Sequence, residues 1–204
     1  MQDRKLTFFT SDLHLEQEKS IAYDKRPFRD VDRMFEVLLN NFNSTVPTGS
    51  ITYFLGDMGM YNKAKLREFI MRCNGTKVLV LGNHDQGVNT MYKMGFDVVL
   101  NAAMLVIANQ KVTMSHCPLR GIWREDVTGM KGAKPGENWH GEMKQYRFSI
   151  EDTGQFHLHG HIHSNNKDKG QRILGKQFDV GVVANNYRPV SISQIESWIA
   201  KYGR

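Results

Sequence analysis

The first half of the chain alternates short apolar segments with segments whose apolar residues repeat at helical spacing. Buried strands are predicted at Lys5–Thr10, Ile51–Leu55 and Val78–Leu81. Between them, apolar side chains recur every three or four residues over Asp30–Phe42 and again over Leu66–Cys73, which is the spacing of an amphipathic helix. This order of strands and helices is typical of α/β proteins.

The later part of the chain is richer in short strands. A short helix is predicted around Val88–Met94, and a last helix from Ser193, where Ser193 and Glu196 fit a capping box. The predicted strands are Val98–Asn101, Met104–Ile107, Val112–Met114, Phe156–His159, and a hairpin around Gly175 with arms Ile173–Leu174 and Gln177–Val183. The whole pattern predicts one α/β domain over residues 1–204, a two-sheet β-sandwich flanked by α-helices.

Composition and charge narrow the class of protein. The chain has 204 residues, 40% hydrophobic and 24% charged, which fits one globular domain and argues against disorder or a coiled coil. The formal net charge of +6 favours an anionic partner, although solubility alone would also explain it. Cys73 and Cys117 are too few for a disulfide framework, and no apolar run has the length of a membrane span. We therefore expect a cytoplasmic protein with no membrane partner.

Polar side chains able to bind metal follow the ends of the predicted strands, where α/β folds place their ligand sites. Carboxylate, imidazole and carboxamide ligands suit a divalent cation such as Mn²⁺, Fe²⁺ or Zn²⁺. The alternating pairs Asp12-x-His14 and His161-x-His163 would present both members to one side if the backbone were extended. Two such ions about 3.5–4 Å apart form a clamp for attack on phosphorus. The candidate residues are Asp12, His14, Asp57, Asn83, His84, Asp85, His116, His161 and His163.

These blocks also occur in an order that resembles a known family. Asp12-x-His14, Gly56-Asp57, Gly82-Asn83-His84-Asp85, His116 and Gly160-His161-x-His163 are similar to the signature blocks of the calcineurin-like metallophosphoesterases. Arg26-Pro27-Phe28 and the stretch Asn185–Val190 resemble the small bacterial and phage-encoded members in particular. The resemblance implies that family's fold and metal-dependent hydrolysis of phosphate esters. It also implies two divalent metal ions, Mn²⁺ first, with Fe²⁺, Zn²⁺, Co²⁺ and Ni²⁺ as alternatives.

The resemblance further assigns roles to individual residues. The first metal would be held by Asp12, His14, Asp57 and His163. The second would be held by Asp57, Asn83, His116 and His161, so that Asp57 bridges the two ions. His84 would be a catalytic residue that contacts the phosphate and assists the leaving oxygen, with Asp85 orienting it. His157 and His159 lie outside the family pattern, and we interpret them as structural.

The segment 118–154 shows no clear period and is rich in Gly, Lys, Arg and aromatic residues. One interpretation is a solvated surface loop, and the other is a lid over the site. As a lid, it would bind substrate through Trp123, by stacking, and Arg124, by contact with phosphate. Arg26, close to the first block, is a further candidate for substrate binding.

The preferred function is a phosphodiesterase that acts on nucleotide-like substrates. Three alternatives stay open: a phosphomonoesterase acting on nucleotides or phosphoproteins, a nuclease acting on DNA or RNA, and an inactive scaffold of the same fold. The expected partner is an anionic phosphate ester, with nucleotides and nucleic acid among the candidates. The sequence does not indicate a protein partner.

Overall fold

The computed structural model describes residues 6–59, 62–119, 148–164 and 176–202. Within these ranges the chain forms α/β structure with nine strands and five helices. The strands are β1 (Thr7–Thr10), β2 (Ile51–Phe54), β3 (Thr76–Val80), β4 (Val98–Leu100), β5 (Ala103–Ile107), β6 (Gln110–Met114), β7 (Phe156–His159), β8 (Gln177–Asp179) and β9 (Val190–Ser191). The helices are α1 (Glu18–Tyr23), α2 (Val31–Thr45), α3 (Lys63–Arg72), α4 (Val88–Lys93) and α5 (Ile192–Tyr202).

The strands form two mixed sheets. The first sheet has the order β4-β3-β2-β1-β9, in which β1 to β4 are parallel and β9 is antiparallel to β1. The second sheet has the order β5-β6-β7-β8, with β5 antiparallel to β6 and the other neighbours parallel. The prediction of an α/β architecture with two sheets is confirmed at this level.

The first sheet is covered on both faces because successive side chains of a strand point to opposite sides. Phe8 packs into a cluster with α2, α3 and α4, whereas Phe9 packs into a second cluster with β6, β7 and α5. Phe54 and Leu55 repeat this division at the end of β2. Helices therefore cover one face of the first sheet, and the second sheet together with α5 covers the other.

Local signals explain where α2 begins and ends. The Asp30 side chain accepts a hydrogen bond from the backbone N–H of Arg33, which is the usual N-cap contact. The buried stripe of α2 runs from Met34 to Phe42, as the sequence predicts, and the helix ends before Pro47.

The last helix begins earlier than predicted. Its cap is the Ser191–Gln194 pair: the backbone N–H of Ser191 donates to Gln194 Oε1 at 2.8 Å, and that of Gln194 donates to Ser191 Oγ at 3.4 Å. The prediction of a box at Ser193 and Glu196 is wrong, because Ser193 is already inside the helix.

The predicted hairpin near Gly175 is described only in part. Its first arm lies outside the described residues, and its second arm supplies β8, which ends at Asp179 and pairs in parallel with β7. Beyond β8, a bridge between Ser11 and Gly181 brings the chain back to the end of β1. No helix within the described ranges has the length and apolar character needed to cross a bilayer.

Candidate metal centre

The loops that follow β1, β2 and β3 are held together by backbone contacts. Asp12 N–H donates to the carbonyl of Gly56, and His14 N–H donates to that of Asp57, both at 3.0 Å. Gly56 and Gly82 lie so close that a Cβ on Gly56 would be 2.6 Å from Gly82 Cα. A Cβ on Gly82 would overlap the carboxylate of Asp57. Glycine at both positions therefore lets the strand ends meet around Asp57.

Five of the predicted metal ligands have left-handed backbone conformations. Their φ angles are 57° at Asp12, 48° at His14, 56° at Asp57, 69° at His161 and 44° at His163. The expectation of an extended backbone at the two alternating pairs is wrong, because both pairs lie in loops beyond the strands and have positive φ angles. The left-handed loop backbone, not the strand pleat, sets the directions of these side chains.

One group of ligand atoms joins the start of the chain to the loop after β7. Nε2 of His14 lies 3.1 Å from Nε2 of His163, which in turn lies 3.4 Å from Asp12 Oδ1. The outer nitrogen of each imidazole has its own acceptor: His14 Nδ1 donates to Gln17 Oε1 at 2.6 Å, and His163 Nδ1 donates to Asp24 Oδ1 at 2.9 Å. Both rings therefore present Nε2 to the same point, within 4.8 Å of a carboxylate oxygen.

A second group, Asp12, Asp57 and His116, lies next to the first. Asp57 Oδ2 is 3.6 Å from His14 Nε2 and 3.3 Å from His116 Nε2, so one oxygen lies between two imidazoles. His116 Nδ1 donates to the carbonyl of Leu55 at 2.7 Å. Because a carbonyl can only accept, Nδ1 carries a proton, and Nε2 faces the carboxylate.

A third group consists of His116, His161 and Cys117. Cys117 is absent from the sequence prediction, and its position next to His116 is the signal that could have pointed to it. Its side chain is buried, and burial raises the pKa of the thiol, so it is protonated at neutral pH.

In the loop that also carries His84, the buried oxygen Asn83 Oδ1 has no hydrogen-bond partner among the residues that the structure describes. Within the cluster, the sole partner of His116 Nε2 among those residues is the Asp57 carboxylate at 3.3 Å. Buried polar atoms normally have partners, and each unpaired one calls for an explanation such as a bound ion. An oxygen acceptor and an imidazole nitrogen are both ligands for divalent cations. These residues therefore fit the metal ions that the sequence predicts.

The carboxylates of the cluster are held in their charged form. Burial by itself raises the pKa of Asp57, but the neighbouring His116 outweighs it and lowers the pKa to about 2. Asp12 follows the same logic: burial opposes ionisation, and the imidazole of His163 nevertheless holds the pKa of this carboxyl well below its usual range.

The imidazoles divide into two classes. Burial lowers the pKa of His14 to about 4 and that of His161 to about 3. Burial also acts on His116 and His163, but adjacent carboxylates, Asp57 and Asp12 respectively, raise their pKa values to about 9 and about 10. In the metal-free protein, protons on these two rings thus supply the positive charge, and a bound cation would displace them.

His84 and Asp85 lie at the edge of the cluster. The ring of His84, which is partly exposed, lies 5.5 Å from that of His14, and its backbone N–H donates to Asp57 Oδ1 at 2.9 Å. The Asp85 carboxylate accepts from the backbone N–H groups of Asp57, Met58 and Gly82. Burial, followed by the charge of Asp57, raises the pKa of Asp85 to about 6. Asp85 thus organises the loop that carries Asp57, and its predicted effect on His84 stays a prediction.

The three candidate substrate contacts have different outcomes. Trp123 and Arg124 lie outside the described residues, as does most of the 118–154 segment. Arg26 is buried, and its guanidinium faces the protein's own groups, Asp24 and the backbone carbonyls of residues 12 and 13. The Arg26 guanidinium therefore lies in the protein interior and does not form an exposed contact for a phosphate.

The two strand histidines have partners within the second sheet. His157 Nδ1 accepts from Thr113 Oγ1 at 2.9 Å, and its Nε2 donates to the carbonyl of Cys117 at 3.3 Å. His159 is likewise buried, and its Nδ1 donates to the carbonyl of Gly160 at 2.9 Å. These contacts occupy both ring nitrogens of His157 and Nδ1 of His159, in keeping with the structural interpretation of His157 in particular.

Comparison with known proteins shows a shared fold over almost the whole chain. No family model matches the sequence. The uncharacterized protein MJ1445 of Methanocaldococcus jannaschii is 28% identical, over 98% of this chain and 94% of that protein. The crystal structure of the protein of unknown function AQ665 from Aquifex aeolicus has a TM-score of 0.65 and 25% identity, covering 95% of this chain and 98% of that one.

One structural neighbour has a described activity. YfcE, a phosphoesterase from E. coli, has a TM-score of 0.40 and 14% identity, covering 87% of this chain and 79% of that one. A similarity of this size is too weak to support a functional assignment. Any function proposed for this chain therefore rests on the residues of its own site.

Proposed function

We propose that the protein is a metal-dependent phosphoesterase of the calcineurin-like type, acting on phosphodiesters of nucleotide-like chemistry. The observation that carries this proposal is the convergence of carboxylate oxygens and imidazole nitrogens around Asp57. Its Oδ2 lies within 3.6 Å of His14 Nε2 and 3.3 Å of His116 Nε2. A carboxylate between two ligand groups is the arrangement that a bridged pair of cations requires.

The donor set indicates which residues would hold the metals. Asp12, His14 and His163 would hold one ion, and His116, His161 and Asn83 the other, with Asp57 between them. Oxygen and imidazole donors suit Mn²⁺, with Fe²⁺, Zn²⁺, Co²⁺ or Ni²⁺ as alternatives. When bound, such cations neutralise charge on a phosphate ester and activate water as the nucleophile.

Contact with the phosphate and protonation of the leaving oxygen would be carried out by side chains of the protein. His84 lies beside the ligand cluster without belonging to any of its three groups, and it is partly exposed. We propose that it contacts the phosphate and gives a proton to the leaving oxygen. Asp85 holds the backbone at Asp57 and Gly82 and so keeps the His84 loop against the cluster.

The proposed substrate class is based mainly on features of the sequence. The diester preference follows from the resemblance of the Asn83-His84-Asp85 block to small members of the family. A monoesterase uses the same site, and the net charge of +6 is compatible with a nuclease. Trp123 and Arg124 are proposed to bind the base and a phosphate of a nucleotide.

A substrate panel with defined metals tests the proposal. Protein reconstituted with Mn²⁺ is assayed on a bis-nitrophenyl phosphate, a nitrophenyl phosphate, a cyclic nucleotide and an oligonucleotide. Hydrolysis should require the metal, disappear with a chelator and favour the diesters. Preference for the monoester, or steep loss of oligonucleotide cleavage with salt, would move the assignment to a phosphomonoesterase or a nuclease.

A matched pair of variants separates the site from general effects of charge removal. Asp57→Asn should lose metal occupancy and turnover together, because it removes the central charge. Asp32→Asn removes an exposed carboxylate on α2 and should leave both unchanged. An Asp57→Asn protein that keeps its metal and its turnover would contradict the proposed role of Asp57.

A further inference from the structure

A buried ion pair lies directly behind the first group of ligand atoms. Asp24 follows α1, and Arg26 comes two residues later. Asp24 Oδ2 accepts from Arg26 Nη2 at 2.9 Å and from Nε at 3.0 Å, with side-chain exposures of 2% and 0%. Removing two charges from water is costly, and a buried pair is maintained only when further hydrogen bonds satisfy both partners. Those further bonds lead to the candidate metal centre.

The remaining N–H groups of Arg26 are directed at other groups in the protein interior. Nη1 donates to the carbonyl of Leu13 at 2.8 Å and faces Met34 Sδ at 3.5 Å, and Nη2 donates to the carbonyl of Asp12 at 3.0 Å. A guanidinium has five N–H groups, and these contacts together with those to Asp24 occupy all of them. Arg26 therefore fixes the backbone that carries Asp12 and has no donor left for a phosphate.

Asp24 makes the matching contact on the other side. Its Oδ1 accepts from His163 Nδ1 at 2.9 Å, and Nε2 of the same ring lies 3.4 Å from Asp12 Oδ1. The contacts thus form a closed ring that runs from His163 to Asp24, Arg26 and the Asp12 backbone, and returns from the Asp12 carboxylate to His163. It joins two parts of the chain that are distant in sequence.

We propose that Asp24 and Arg26 form a clamp that fixes the position of His163 Nε2 relative to the Asp12 carboxylate. The two side chains would then be a preformed pair of metal ligands. The inference rests on the proposed metal-dependent function, to which it adds two positioning residues. A carboxylate behind a metal-binding histidine fixes its ring orientation and makes the facing nitrogen a better ligand. Arginine is required at the other end because only its planar fork reaches a carboxylate and two carbonyls at once.

The first test concerns the ring proton and is made on metal-free protein. In NMR spectra of the wild type, the Nδ1 proton of His163 should be observable and protected from exchange, and it is assigned by its loss in His163→Gln. Asp24→Ala should abolish this protection, whereas Asp24→Asn should keep it because the carboxamide oxygen can still accept. The ring proton of His157, bonded to the carbonyl of Cys117, is the internal control and should not change.

The second test measures Mn²⁺ affinity by calorimetry. Asp24→Ala should bind Mn²⁺ about 10–100-fold more weakly, and Asp24→Asn should lie between it and the wild type. Arg26→Lys should also weaken binding, because an ammonium cannot replace the fork. The control is Asp30→Ala, which removes the cap of α2 and destabilises the fold without touching the clamp.

Each outcome is decisive. Wild-type affinity in Asp24→Ala, or a loss equal to that of Asp30→Ala, would overturn the clamp and leave the ion pair a structural contact. A protected Nδ1 proton in Asp24→Ala would overturn it as well. If the wild type binds no Mn²⁺, the proposed metal centre fails, and the clamp then stands or falls on the ring proton alone.

Discussion

Asp57 Oδ2 lies 3.3 Å from Nε2 of His116, although the two residues follow strands of different sheets. Asp57 follows β2 of the first sheet, and His116 follows β6 of the second. The candidate metal centre therefore spans the junction of the sheets and depends on their packing. Substitutions that shift one sheet against the other should therefore change the distances between these candidate ligand atoms. Substitutions away from the junction should leave those distances unchanged.

Replacing His84 should separate turnover from metal binding. His84→Ala is expected to lower kcat on a phosphodiester by about 10²–10⁴, because it would remove the proposed proton donor. Bound Mn²⁺, measured by elemental analysis, should stay near the wild-type amount, since His84 is outside the three ligand groups. If metal content falls in step with kcat, His84 is a ligand and this role is wrong.

Two glycines five positions apart offer a matched test of the strand-end contact. A Cβ at residue 82 would overlap Asp57 Oδ1, whereas a Cβ at Gly87 would meet nothing within 4 Å. Gly82→Ala should therefore displace Asp57 and weaken Mn²⁺ binding, measured by calorimetry, while Gly87→Ala should bind as the wild type does. Equal binding by the two variants would show that the loop relaxes without disturbing the site.

His157 should make the fold sensitive to mild acid. Burial, with a further contribution from His159, lowers its pKa to about 3, whereas the unfolded chain titrates near 6.5. The unfolded state therefore takes up the proton first, and stability present above about pH 6.5 is lost as the pH falls towards 3. One such group contributes up to about 1.4 kcal/mol per pH unit.

Urea denaturation at several pH values measures this dependence. His157→Gln should show a smaller decrease in unfolding free energy than the wild type over this window, by the equivalent of at most one proton. Identical slopes for the two proteins would mean that His157 is protonated in the folded state, or that the fold opens locally around it.

The cap of α5 gives a test of the observed helix boundary. Ser191→Ala should cost about 0.5–2 kcal/mol of stability, because it removes the hydroxyl that accepts from Gln194. Ser193→Ala lies within the helix and should cost much less, since alanine is the better helix former. Chemical denaturation measures both, and a larger cost at Ser193 would place the helix start where the sequence suggested.

The sequence predicts well those elements whose apolar residues cover a core. The strands β1 to β3 follow from their short apolar runs, which are buried on both faces of the sheet, and the helix α2 follows from the helical spacing of its buried side chains. The helix α1 escaped prediction because it is short and Ser20 is its one fully buried residue. At α5, two overlapping cap patterns begin at Ser191 and Ser193, and the local sequence cannot choose between them.

The candidate site, too, is predictable from the sequence only in part. Strand ends indicate where Asp12, Asp57 and the histidines gather, since those positions follow from the order of elements. Partners behind the ligands depend on contacts between distant residues, such as that of Asp24 with His163, 139 residues away. Arg26 shows the limit of sequence reasoning: its charge near the first block is visible, but its inward direction is not.

The left-handed conformations at five ligand positions have an energetic consequence. For residues other than glycine, each costs roughly 1–2 kcal/mol, so the five together remove on the order of 5 kcal/mol from a fold whose total stability is of similar order. The chain therefore gives up stability to aim these side chains. Relaxing one position should restore part of it: we expect His14→Gly to resist urea better than His14→Ala. A chain without these conformations would thus tend to be more stable, and their retention in this fold is the cost expected if the five residues bind metal as proposed.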